Sequence, residues 1–287
     1  MKLENERYEV TFTEKGGEIA SFTDKQTGIQ YMYQGNTDFW GGKNPTLFPM
    51  VGNTFSKTYE INGKSYAMKN HGLIRYMTLK QQEGEEGEIV MTADSDEQTL
   101  QQYPFDFHYE IHYTLSGSQL TIRYLITNTG EEVMPFSFGL HPGFLCPLCE
   151  SETFEDYTIR FSNPEKLTQI VMDPQGLQPY SEQDVEMQEL KLDYQLFETY
   201  ATLIYKGMKS AYVTLKGPKE HGVKLSISGY PLFAVWTAKR DAPFVCLEPW
   251  FGHSDFSAVE EDFYHREGTM LLSPKKSFTC AYTIELF

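Results

Sequence analysis

Hydrophobic and polar residues alternate with a period of two along most of the chain. In QLTIRYLITN (119–128), Leu120, Ile122, Tyr124 and Ile126 fall on one face, and Thr121, Arg123 and Thr127 on the other, which predicts a strand covered on one side. FHYEIHY (107–113) repeats the pattern, with Phe107, Tyr109, Ile111 and Tyr113 set against His108, Glu110 and His112. The two histidines therefore read as members of a solvated strand face rather than as a metal pair on a helix. VKLSISGYPLFAVWTA (223–238) and SFTCAYTIELF (277–287) predict further strands, and the second returns the C-terminus to a sheet.

Turn chemistry separates these runs. EKGG (14–17), DKQTG (24–28) and NGKS (62–65) are spaced as connections between short strands, and NTGEE (128–132) closes the strand before VMPFSFGL. Long helical periodicity is nearly absent. The polar stretch from about 164 to 195 fits neither period and predicts a long excursion with a single helical turn. With no Pro/Ser-rich linker and no internal repeat, residues 1–287 read as one all-β domain, a large antiparallel β-sandwich.

Composition strengthens that reading and narrows the partners. The 20 Phe, 19 Tyr and 3 Trp favour half-buried pleated surfaces. Lys and Arg total 24 against 40 Asp and Glu, a formal charge of -16, and no basic run offsets it, so neither nucleic acid nor an anionic membrane is an expected partner. MKLENERYEV lacks an apolar leader core, and no stretch approaches the roughly 20 apolar residues of a membrane span, which makes a cytoplasmic location the expectation. Four cysteines are too few for a disulfide framework. Cys146 and Cys149 form CPLC, but Cys246 and Cys280 supply no second pair, so reduced thiols and no structural zinc are expected.

Four stretches carry Gly and Pro punctuation with polar side chains that no strand face requires: WGGKNPTLFPMVGN (40–53), NHGLIR (70–75), FGLHPGF (138–144) and CLEPWFGHSD (246–255). Each ends an apolar run, where a rigid sheet presents loop residues to a ligand. Glu248 follows PFVCL, and a carboxylate at the mouth of an apolar run has its pKa pushed up by desolvation. His141 is the other acid-base group so placed. His71 and Arg75 add hydrogen-bond donors, and Trp40, Trp236 and Trp250 add flat apolar faces, a set that suits a polyol. Taken singly, His141 reads as a core or turn histidine, Arg75 as a surface residue and the tryptophans as core.

In this order, NPTLFPMVG, NHGLIR, PFSFGLHPGF and PFVCLEPWFGHSD resemble the aldose 1-epimerase (mutarotase) family, in its LacX-like branch, from about residue 8 to the C-terminus. The resemblance implies a β-supersandwich whose cleft holds one hexose, with His141 as general acid, Glu248 as general base, His71 and Arg75 binding sugar, and Asn53 at one edge of it. It implies no cofactor and no metal, and a monomer or homodimer. Opening the ring takes a proton from the C1 hydroxyl and gives one to the ring oxygen, which needs His141 charged; the nearby Glu248 is expected to raise its pKa.

Three departures bear on the substrate. Asn53 stands where galactose-specific relatives carry arginine, and Gly41 where hexose-6-phosphate relatives do, with Lys43 close by as a single cation. The sugar-contacting aspartate that many relatives carry after the long excursion has no secure counterpart in DYQLFETYATLIY, where Asp193 sits early and Tyr200 holds the expected place. The other readings are a sugar-binding or sensing protein of the same fold, a hexose-6-phosphate 1-epimerase, and a glycosidase using Glu248 with Asp255.

Overall fold

The computed structural model describes residues 1–82, 84–172 and 180–287, and its regular structure is almost all strand. Fifteen strands join one antiparallel sheet, accompanied by a three-stranded sheet from residues 2–24 and two two-stranded ribbons. The sheet curls so that its two halves face each other. Tyr109 and Tyr124 from one half share a single core with Phe138, Phe233, Val245 and Leu247 from the other, and the Tyr124 and Phe138 rings meet at 5.1 Å. The expected all-β sandwich is thus present.

Period-two alternation builds that core. Strand Gln119–Asn128 lies between Phe107–Ser116 and Ser277–Leu286, so Ile122 is flanked by Tyr113 and Tyr282. Leu120, Ile122, Tyr124 and Ile126 are all buried, and each large apolar side chain removed from water contributes about 1.5–3 kcal/mol. On the outer face His108 pairs with Asp94, and His112 sits between Glu88 and Glu110. Asp94 and Glu88 on the neighbouring strand, with Glu110 on the same one, satisfy the histidines there.

NGKS joins Thr58–Ile61 to Lys64–Ala67. Asn62 and Gly63 both take positive φ, 50° and 75°, as a two-residue hairpin turn of matching twist requires. EKGG likewise links Tyr8–Phe12 to Ile19–Asp24.

The stretch 164–195 departs from expectation. Thr158–Val171 and Ser181–Lys191 form a long antiparallel ribbon, while residues 173–179 lie outside the described residues. Among the described residues the second of these strands pairs only with the first, and it is exposed or half-exposed throughout. Val185, Met187 and Leu190 are half-buried and pack against the core, but Ser181–Asp184 are polar and exposed, so the alternation is too short to read in the sequence; the ladder to the first strand defines it. The helical turn falls at the end, Tyr194–Tyr200, where the Asp193 side chain accepts from the Gln195 N–H. A second short helix, Glu97–Gln102, starts on Asp96 in the same way.

Candidate functional site

The site is built on Phe244–Phe251, a strand buried along nearly its whole length. Val245 and Leu247 point into the main core. Phe244, Cys246, Glu248 and Trp250 point the other way, where two smaller apolar clusters form, one around Leu47, Val51, Ile204 and Trp250 and one around Tyr33, Phe244 and Cys246. Strict alternation therefore places Glu248 between apolar neighbours on the second face.

The neighbouring strand is interrupted at His141. Phe138–Leu140 pairs Gly139 with Trp250, and Gly143–Leu145 pairs Gly143 with Cys246. One register runs through both pieces, and it sets His141 opposite Glu248. Pro142 carries no N–H for the ladder and restrains His141 to an extended conformation, while its carbonyl still accepts from the Leu247 N–H at 3.2 Å. His141 Nε2 lies 3.4 Å from Glu248 Oε2. The contact is not aligned as a hydrogen bond, and both Glu248 Oε2 and His141 Nδ1 are buried without a hydrogen-bond partner among the described residues.

Burial governs the charge state of this pair. Glu248 is 1 % exposed and His141 5 %. Desolvation pushes the Glu248 carboxyl well above its ordinary 4.5 and, with help from His71 and Arg75, pulls His141 well below 6.5. The expected upward shift of His141 does not occur, because an uncharged carboxylic acid offers no field to hold an imidazolium. Trp40 stacks on the imidazole at 4.7 Å and Trp236 meets it edge-on at 5.3 Å, which keeps water off the stacked face and one edge of the ring.

His71 is fixed by backbone. Its N–H donates to the Gly52 carbonyl at 2.8 Å and its Nδ1 accepts from the Gly52 N–H at 3.0 Å, so its Nε2 carries the proton. Burial first, then Arg75, lowers its pKa to about 3, making it a neutral donor. The fold holds His71 at φ 64°, and Gly72 at φ 77°. A Cβ on Gly72 would stand 2.2 Å from the Phe48 carbonyl oxygen, so the HG pair is dictated by close backbone approach.

These groups line a cavity of about 540 Å³, within the range of small-ligand sites. Asn53, His71, Arg75, His141, Glu248, Trp40, Trp236 and Trp250 all contribute to it, so the residues singled out in the sequence converge on one place. Lys43 is not among its lining residues; its backbone N–H donates to the Glu18 carboxylate. Asp255 lines the cavity but is committed: both its oxygens accept from Arg266, at 2.9 and 2.8 Å, and one also accepts from the Phe55 N–H.

Several lining residues escaped the sequence reading. Thr202 and Ile204, on the strand Thr202–Lys206 that pairs with Leu232–Trp236, line the cavity, whereas Tyr200, at the expected place of the aspartate, is not among its lining residues. Met172 comes from the end of the long ribbon. Neither segment carries a motif. They reach the site through strand pairing that period-two analysis does not specify. His141, Cys246 and Glu248 also bring three potential metal-ligand atoms within 4.8 Å of one another, although burial pushes the Cys246 thiol well up and keeps it protonated. Among the described residues no helix is long and apolar enough to cross a membrane.

Residues 1–285 match the family model described as aldose 1-epimerase. The chain is 30% identical over 275 residues to the chromosomal Protein LacX of Lactococcus lactis subsp. lactis, an alignment covering 91% of this chain and 90% of that protein. A galactose mutarotase-like protein from Lactobacillus casei superposes with a TM-score of 0.93 at 27% identity, covering 100% of this chain and 99% of the other. A galactose mutarotase related enzyme from Lactobacillus acidophilus gives 0.93 at 25% identity, covering 100% and 97%.

Proposed function

The chain belongs to the aldose 1-epimerase family, and from that premise we propose that it interconverts the α and β anomers of an unphosphorylated hexose, with Glu248 and His141 as its acid-base pair. The observation that carries this reading is the side-by-side placement of the two groups, 3.4 Å apart on one wall of the cavity. Ring opening removes a proton from the C1 hydroxyl and adds one to the ring oxygen. Those two oxygens are bonded to the same carbon, so the groups that serve them must themselves be neighbours.

The charge state supports the same chemistry. A carboxylic acid beside a neutral imidazole holds as many protons as a carboxylate beside an imidazolium, and one transfer between Glu248 and His141 interconverts them. In the second form Glu248 takes the C1 proton while His141 protonates the ring oxygen. Rotation about C1–C2 presents the other face of the aldehyde, and the pair then acts in reverse to close the ring. His71 Nε2–H and Arg75 hold hydroxyls, Asn53 and Thr202 serve the far edges, and the indoles cover the apolar face of the sugar.

Among the described residues Arg75 is the cation on the lining, without a second guanidinium to grip a phosphate, which favours a free sugar over a hexose 6-phosphate. The Arg266 ion pair of Asp255 disfavours the glycosidase reading, since a carboxylate so held is a poor partner for Glu248. Polarimetry of freshly dissolved α-glucose and α-galactose tests the proposal. The protein is expected to speed the decay of rotation; a spontaneous rate across a panel of free hexoses would leave sugar binding without catalysis.

A further inference from the structure

A second cluster of ligand-forming side chains lies away from the cavity. Cys149 is in the loop after strand Gly143–Leu145, Glu152 follows three residues later, and His221 occupies the turn between strands Tyr212–Lys216 and Gly222–Ser226. His221 Nε2 is 3.6 Å from Cys149 Sγ and 3.5 Å from Glu152 Oε2, and the three donor atoms all lie within 4.8 Å of one another. None of the three lines the cavity that holds His141 and Glu248.

We propose that Cys149, Glu152 and His221 bind a zinc ion. Tetrahedral zinc, with bonds of about 2.3 Å to sulfur and about 2.0–2.2 Å to nitrogen and oxygen, sets neighbouring donor atoms about 3.4–3.6 Å apart, the spacing found around His221. Thiolate, imidazole and carboxylate together suit a borderline-soft cation and not magnesium or calcium. The CPLC motif lacks a second cysteine pair in the sequence, yet the fold completes half of it with a carboxylate and an imidazole; Cys146 is buried in the main core and takes no part.

Glu152 supplies an independent sign. It is only 6 % exposed, its Oε2 accepts from the Tyr157 hydroxyl, and its Oε1 has no partner among the described residues. A buried carboxylate with one oxygen unpartnered is unfavourable, and a dication held at Oε2, the oxygen that approaches His221, offsets the charge of the group. Tyr157 then fixes the carboxylate from outside, and its own oxygen is held by the Leu148 N–H at 2.8 Å. On binding, the Cys149 thiol releases its proton, so thiolate and carboxylate together neutralise the ion. Water takes the fourth position. The metal would tie the 146–153 loop to the 217–221 turn, segments that also meet through the Lys219 Nζ to Ser151 Oγ hydrogen bond.

The test is titration of the full-length, chelator-treated protein with Co²⁺, a spectroscopic substitute for zinc. One equivalent is expected to give a thiolate-to-cobalt charge-transfer absorption in the near-ultraviolet that Zn²⁺ displaces. Cys149→Ser and His221→Ala are expected to abolish it, and Tyr157→Phe to weaken affinity about 10- to 100-fold. Absence of the absorption from the unaltered protein overturns the proposal. So does an absorption that survives Cys149→Ser and disappears in Cys246→Ser, which would put the metal beside His141 and Glu248. No sugar enters the measurement, so its outcome is independent of the epimerase reading.

Discussion

His141 and Glu248 are cross-strand neighbours, set opposite each other by the register that pairs Gly139 with Trp250 and Gly143 with Cys246. The two side chains touch at 3.4 Å on the face turned away from the main core. They are in contact and do not flank a ring-sized gap, so a sugar would be met at its hemiacetal edge. Their geometry is inherited from the sheet and needs no mobile loop.

Glu248→Gln keeps volume and polarity but removes the proton-transfer group, and His141→Asn does the same on the partner strand. Each is expected to lower the anomerisation rate by about 10²- to 10⁴-fold with an unchanged circular dichroism spectrum. Polarimetry on the purified variants checks this, and near wild-type rates in either one would remove the role assignment.

The same burial predicts how stability responds to pH. Glu248 has a native pKa above 4.5, so between 4.5 and that higher value the native state holds a proton the unfolded chain has lost. Its contribution is full below about pH 4.5 and is lost as pH rises through the native value. Glu248→Gln should therefore raise the urea midpoint at about pH 8, with the advantage shrinking towards pH 4.5; each tenfold difference in proton affinity between the native and unfolded states is worth about 1.4 kcal/mol. His141, lowered from 6.5, acts on the other side: stability is full above pH 6.5 and declines as pH drops through it towards the native value. His141→Asn should flatten that acid limb. A wild-type curve parallel to both variants would contradict the burial argument.

His71 is locked to Gly52 and neutral above its pKa of about 3, so it contributes a hydrogen bond and no titration. His71→Ala is expected to raise KM at least about tenfold, the worth of one well-placed hydrogen bond in a buried site, with kcat changed far less. Steady-state kinetics separates the two; a loss confined to kcat would refute a binding role.

Gly72→Ala should destabilise the protein by at least about 1 kcal/mol, because it forces a side chain into left-handed backbone as well as into the Phe48 carbonyl. A thermal or urea midpoint unchanged from wild type would show that the 70–75 loop can relax.

Asp255 and Arg266 are each about nine-tenths buried. Asp255→Asn strands the guanidinium and is expected to cost about 3 kcal/mol in urea unfolding. The unaltered protein is expected to release no phenol from aryl glycosides. Hydrolysis abolished by Asp255→Asn would restore the glycosidase reading.

What the sequence determined by itself is what depends on near neighbours. Alternation in 107–113 and 119–128 named the core face of two paired strands before their pairing was known, and the NG dipeptide at 62–63 specified its turn, since φ signs and side-chain faces are local properties. Motif order also named His71, Arg75, His141 and Glu248, and it was the resemblance that assigned them roles. The tertiary structure decided the rest. A strand such as Ser181–Lys191, held mainly by its backbone ladder and half-buried only at Val185, Met187 and Leu190, leaves too short a hydrophobic pattern to read. Pairing across more than a hundred residues put His141 against Glu248 and enclosed them among indoles, and burial, a property of the whole fold, reversed the direction foreseen for the histidine pKa. Equally, no spacing rule joins Cys149 and Glu152 to His221; two loops had to be brought together in space first.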